Sequence, residues 1–102
     1  MVSKIKLIRS LSKQRPDLKF DMNVIRINGE MRGCSGFITD PHANIILYVN
    51  TEECIKDKIL ARYARSTKDF TGGINNFIDA NNYVNGILKM LDEPQKFWAF
   101  KK

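Results

Sequence analysis

The sequence predicts an α+β fold: a three-stranded antiparallel sheet with an N-terminal helix and two C-terminal helices packed on it. Three observations carry that expectation. Apolar residues recur at helical spacing in residues 3–13 and again beyond Thr51. Leu18, Phe20, Met22 and Val24 alternate with polar residues, the period of a half-buried strand. Asn28-Gly29 then separates that run from a second strand-like segment, and a type I′ hairpin turn needs positive φ at both central positions. At 102 residues the chain reads as a single domain, 1–102, near the lower end of sizes that build a core without staples.

The elements follow in order. Ile5, Ile8 and Leu11 predict a short amphipathic helix, with Ser3 as N-cap and Pro16 as its stop. A strand over Lys4–Ile8 competes, because Ile5 and Leu7 also alternate with lysines. The first strand closes at Ile27, and the return strand runs from Glu30 to Thr39. Gly33 and Gly36 within it indicate a bulge or a close backbone approach. Asp40 to Asn44 forms the next turn. Ile45–Asn50 is the third strand, with Phe20, Met22, Ile46 and Tyr48 expected to point inward.

Thr51 is expected to cap a second helix, with Glu52 and Glu53 in its first turn and Ile55, Ile59, Leu60 and Tyr63 as its buried stripe. Asp79 is expected to cap a last helix whose inner face is Tyr83, Ile87, Leu88 and Leu91, stopped by Pro94. Gly86 weakens that helix by about 1 kcal/mol relative to alanine, which marks a close helix contact.

Composition narrows the function classes. Hydrophobic residues at 43% and charged residues at 27% are ordinary for a soluble globular chain. Cys34 and Cys54 have no CxxC or Cys/His spacing and read as reduced, packed thiols of a cytoplasmic protein. The N-terminus lacks the apolar run of a signal peptide, and Ile45–Val49 is far too short to span a bilayer, so no membrane is expected.

No catalytic constellation is expected. His42 is the only histidine, and it sits eight residues from Cys34, so a Cys34–His42 pair is the sole nucleophile–base candidate. The acidic residues are scattered, and one histidine with two separated cysteines cannot fill a zinc shell, so no metal or cofactor is expected. Thr67-Lys68-Asp69-Phe70-Thr71-Gly72-Gly73 lacks P-loop spacing; it reads either as a helix C-terminus with an αL glycine cap or as a backbone nest for a phosphate.

Charge is the one strongly polarised feature. The first 19 residues hold Lys4, Lys6, Arg9, Lys13, Arg15 and Lys19 against Asp17 alone, five of the six net positive charges. This arm reads either as a solvated helix face or as a surface for phosphates or an acidic protein. Lys68 and Trp98 join the candidate binding residues. Phe97, Trp98 and Phe100 either close the core over the last helix or anchor a partner. The order helix, three strands, helix matches double-stranded RNA-binding domains in layout, but Glu52 and Glu53 occupy the helix start where those domains place lysines.

Three strings, Gly33-Cys34-Ser35-Gly36-Phe37, Leu47-Tyr48-Val49-Asn50-Thr51-Glu52 and Arg65–Gly73, resemble a small domain of phage and mobile-element proteins of low-GC Gram-positive bacteria, over roughly residues 23–76. The resemblance implies a small non-enzymatic binding protein acting on a host protein or nucleoprotein complex, in the manner of anti-CRISPR inhibitors of host defence. A sequence-tolerant RNA- or DNA-binding module is the alternative. An exposed edge strand also allows a homodimer.

Overall fold

The computed structural model describes residues 2–52, 56–69 and 73–94. Helix α1 (Lys4–Gln14) precedes five strands, β1 (Lys19–Ile27), β2 (Glu30–Asp40), β3 (Ile45–Asn50), β4 (Lys58–Ala64) and β5 (Asn76–Asp79), and helix α2 (Tyr83–Asp92) follows. The strands form one antiparallel sheet in sequence order, each paired with its chain neighbours. The fold is thus α+β, but the described residues form a five-stranded sheet and one C-terminal helix, not three strands and two.

The missing helix is the segment after Thr51. Ile59, Ala61 and Tyr63 are buried and alternate with half-buried Lys58, Leu60 and Arg62, which is strand period. Ile59, Leu60 and Tyr63 also fit a helical stripe, and nothing local breaks the tie. Pairing decides it, because Leu47 lies opposite Tyr63 on one side and Phe77 opposite Leu60 on the other. Thr51 caps no helix among the described residues; its hydroxyl is buried in the core. Residues Glu53, Cys54 and Ile55 lie outside the described residues.

The hairpin between β1 and β2 follows its turn chemistry. Asn28 and Gly29 have φ of 53° and 81°, both positive as a type I′ turn requires. The register slips between Ile25 and Arg26 where Gly33 pairs, the bulge expected there. Gly36 stands opposite Met22, and a Cβ there would strike the Asp21 carbonyl, so the two backbones meet where no side chain fits.

Both helices cover the same face of the sheet. Val2, Leu7, Leu11, Ile87, Met90 and Leu91 join Met22, Cys34, Ile38, Leu47, Val49, Ile59, Ala61, Tyr63 and Ile78 in one apolar cluster. Phe20 packs against this cluster and Met22 lies in it, as expected, but Ile46 and Tyr48 do not point inward: Ile45, Leu47 and Val49 do. In an all-apolar strand the sequence does not reveal which parity is inside; the pairing of Ile38 with Leu47 sets it.

Helix α1 starts with the Ser3 hydroxyl accepting from the Lys6 N–H at 3.2 Å, so the competing strand does not form. Its buried residues are Leu7 and Leu11, each worth about 2–3 kcal/mol of burial, whereas Ile5 is 67% exposed. The expected stripe was therefore rotated by part of a turn. Helix α2 begins at Tyr83 behind Asn82, not at Asp79, which ends β5 and accepts from the Asn81 N–H. Gly86 has the expected close contact, against Ile78 of β5. Among the described residues no helix is long and apolar enough to cross a membrane.

Candidate functional site

The basic arm divides into two parts with different chemistry. Lys6, Arg9 and Lys13 stand at i, i+3 and i+7 of α1, on one face opposite Leu7 and Leu11. All three are exposed, and none forms an ion pair among the described residues. Helix rise spreads them over about 10 Å. Helix α1 is tied to α2 beneath them: Tyr83 donates its hydroxyl to the Lys6 carbonyl at 3.4 Å and bonds the Ser10 hydroxyl at 3.0 Å.

Arg15 is not part of that face. Its guanidinium reaches Asp40 at 2.7 Å, Asp92 at 2.7 Å and Asp17 at 3.1 Å, joining α1, the β2–β3 corner and the end of α2. The hydrogen bonds that Arg15 donates to Asp17 and then to Asp40 raise its pKa further above the ordinary value, so the charge is permanent. Burial pushes the Asp40 carboxyl up, but Arg15 and the backbone N–H groups of Ala43 and His42 more than offset this and hold it below the usual range. Asp17 is also held low, chiefly by the Arg15 hydrogen bond. A residue counted as a ligand-binding cation is a structural clamp.

The other candidates scatter. Lys4 is half-buried in the first turn, and Lys19 is exposed at the start of β1. Lys68 is exposed in a tight turn in which the Ser66 hydroxyl accepts from the Lys68 and Asp69 N–H groups. That turn follows β4, so the helix C-terminus reading of this string is replaced. Phe70, Thr71, Gly72, Phe97, Trp98 and Phe100 lie outside the described residues, and with them the nest and the aromatic tail.

Cys34 and His42 do not meet. Cys34 is fully buried toward the hairpin end of β2, and its Sγ lies 3.6 Å from the Thr51 hydroxyl. His42 follows the opposite end of the strand, six residues of β2 or about 20 Å away. Burial pushes the Cys34 thiol up, against a smaller opposing effect of Thr51, so it stays protonated. No cluster of three or more His, Cys, Asp or Glu side chains suited to a metal occurs among the described residues.

Two constellations escaped the sequence. On the sheet face away from the helices, the Phe37 and Tyr48 rings pack edge-on at 5.8 Å, and the Arg62 guanidinium lies 4.9 Å from the Tyr48 centroid. Arg62 also donates to Asn75 at 3.0 Å, and the Asn50 amide approaches the Tyr48 hydroxyl at 3.4 Å. Two of the three resemblance strings, those of residues 33–37 and 47–52, thus contribute to one surface, which the wrong parity of β3 concealed. The second constellation is a groove of about 340 Å³ between β5 and α2, bordered by Phe77, Asp79, Asn82, Asn85 and Lys89. The sequence offered no signal for this groove, because β5 was not recognised as a strand. No protein-family model, curated protein or solved structure matches this chain.

Proposed function

We propose that this protein is a non-enzymatic binding module that docks stoichiometrically on the anionic side of a nucleoprotein complex through the exposed face of α1. The observation that supports this reading is the row Lys6, Arg9 and Lys13, three cations on one braced helix face with no ion pair among the described residues. Oppositely charged surfaces of this kind raise association rates and fix register. The resemblance to phage and mobile-element proteins makes a host-defence complex, CRISPR-type or other, the proposed target.

Direct binding to nucleic acid is the second reading, and the spacing favours it. Three cations over about 10 Å of helix axis match a duplex strand that presents a phosphate every 3.4 Å or so. Affinity capture from host lysate, with and without nuclease, separates the two. A discrete protein complex retained after nuclease and lost in a Lys6→Gln/Arg9→Gln/Lys13→Gln variant is the expected result. Recovery of nucleic acid alone replaces the first reading with the second, and unchanged capture by the variant overturns both.

A further inference from the structure

The hairpin of β1 and β2 outruns the rest of the sheet. β3 pairs with β2 only from Ser35, which meets Asn50, and the Thr51 N–H adds one bond to the Cys34 carbonyl at 2.8 Å. Beyond Cys34 the pairs Ile25–Gly33, Arg26–Met31 and Ile27–Glu30 form a two-stranded ribbon that ends at the Asn28-Gly29 turn. Four residues of strand, Glu30 to Cys34, carry this arm about 13 Å past the body of the sheet.

The arm exposes two kinds of side chain. Val24, Ile27 and Met31 are 39%, 43% and 42% exposed, unusual for large apolar residues in a fold this small. Arg26 and Arg32 are exposed and form no hydrogen bond or ion pair among the described residues. Cross-strand partners share a face, so Arg26 and Met31 lie on the helix side with Val24 and Cys34, and Ile27 and Glu30 on the other. Arg32 has no cross-strand partner, because the register slips there.

The arm also continues the charged line of α1. The Val2 carbonyl and the Cys34 N–H both bond the Thr51 hydroxyl, so α1 starts beside the root of the arm. Arg15 reaches Asp40 at the far end of β2, so α1 runs along β2 and away from the arm. Lys13, Arg9, Lys6 and then the arginines of the arm follow one another over about 30 Å, from eleven residues of helix and four of strand. Residues 1–16 contain no acid, and Glu30 is the only one between Met22 and Thr39. Half-buried Glu52 follows Thr51 at the root.

We infer that the arm enters the major groove of duplex DNA while Lys6, Arg9 and Lys13 hold the phosphates beside it, which rests on the direct-binding reading of the α1 row. The charged line is close to one turn of B-DNA, about 34 Å. The major groove of B-DNA is about 12 Å wide and admits a two-stranded ribbon, whereas that of an A-form RNA duplex is too narrow. A groove has two walls and therefore meets both faces of an inserted ribbon, Met31 on one and Ile27 on the other. A membrane plane meets only one. The guanidinium forks match phosphate oxygens and guanine acceptors alike. A second copy of the chain brings its own net charge of +6 to this surface and is repelled. An acidic protein would have to repeat its anions along the whole line, as a phosphate backbone does by its covalent structure.

Fluorescence anisotropy with a labelled mixed-sequence DNA duplex of about two turns tests this. Saturable binding by the wild type is expected. Arg26→Gln/Arg32→Gln should weaken it at least about tenfold near 50 mM salt and lower the slope of log affinity against log salt by about two. Ile27→Ser/Met31→Ser should weaken it about threefold or more without changing that slope, because apolar contacts release no counterions. All four positions are exposed, so circular dichroism should show unchanged folding. An RNA duplex of the same sequence should be insensitive to the serine variant. A wild type that does not bind DNA overturns the inference, and lysate capture alone then judges the protein-target reading. DNA binding lost in the Lys6→Gln/Arg9→Gln/Lys13→Gln variant but untouched by both arm variants overturns it too, and leaves direct binding through α1 standing. Equal losses on the RNA duplex remove the arm from the groove.

Discussion

The two ends of α1 are fastened to the sheet by polar contacts of opposite kinds. At its start the Thr51 hydroxyl, fully buried, accepts from the Cys34 N–H at 2.9 Å and donates to the Val2 carbonyl at 2.8 Å. At its end Arg15 gathers three carboxylates at a half-exposed corner. The first clasp is neutral and dry, and neither pH nor salt reaches it. The second is ionic and partly wet, so its strength depends on solution conditions. A short helix over a thin sheet is thus secured by one contact insensitive to its surroundings and one that reports them.

Arg15→Met should give the largest loss and so breaks the ionic clasp most directly. It strands Asp40, whose side chain is only 4% exposed, while the aliphatic replacement keeps the packing of the stem. Removing one partner of a buried pair costs up to 3–5 kcal/mol; with Arg15 at 23% exposure, about 2–4 kcal/mol is expected. Urea denaturation monitored by circular dichroism measures it. Arg15→Lys should recover only part of the loss, because an ammonium cannot address three carboxylates in a planar fork.

Thr51→Val tests the neutral clasp with nearly the same volume. It leaves the Cys34 N–H and the Val2 carbonyl buried without the hydroxyl, for an expected loss of about 1–3 kcal/mol. The two clasps lie an 11-residue helix apart, about 16 Å, so the losses should add in the double variant. A coupling energy well beyond about 0.5 kcal/mol would mean that α1 docks as one cooperative unit, not as two separate contacts.

Acid titration separates the clasps without mutation. Asp17 and Asp40 have folded pKa values below their ordinary ones, so their contribution is present above the unfolded value of about 4. It is lost as pH falls from there through the lower folded values. Stability of the wild type should therefore decline below about pH 4, and Arg15→Met should flatten that decline. Thr51→Val should lower the whole curve without changing its shape. Equal acid limbs in wild type and Arg15→Met would remove the ionic clasp as the source. At the alkaline end, Tyr63 is pushed up to about 12 by burial and donates to the Met90 carbonyl at 2.7 Å, so stability should fall as pH rises from about 10 through that value.

The same contrast marks what could be read in the sequence. Features fixed by neighbouring residues were legible: the Ser3 cap, the Asn28-Gly29 turn, the bulge at Gly33 and the close approach at Gly86. Features fixed by distant pairing were not. β4 hides inside a pattern that suits helix and strand equally, and the parity of β3 depends on which residues of β2 it meets. Arg15 looked like its neighbours because its partners stand at positions 17, 40 and 92, and only the folded chain brings the last two beside it. Of the proposed surface, Lys6, Arg9 and Lys13 were visible as charges but not as a separate row, and the β5–α2 groove was not visible at all, since β5 itself was unrecognised.

The smallest expected effect on stability belongs to that row, and it gives the sharpest test of the division within the basic arm. Lys6→Gln/Arg9→Gln/Lys13→Gln removes three exposed cations that support no contact among the described residues. Unfolding free energy should change by no more than about 0.5 kcal/mol per site, against several for Arg15→Met. Partner binding should show the reverse ranking. If nucleic acid is contacted directly, the slope of log affinity against log salt should fall by about three in the triple variant. Arg15→Met, measured at a temperature where it remains folded, should leave that slope unchanged, because its charge is already neutralised within the fold. A slope that depended on Arg15 as strongly as on Lys6 would mean that the clasp opens to meet the partner, and the distinction between clamp and binding surface would fall.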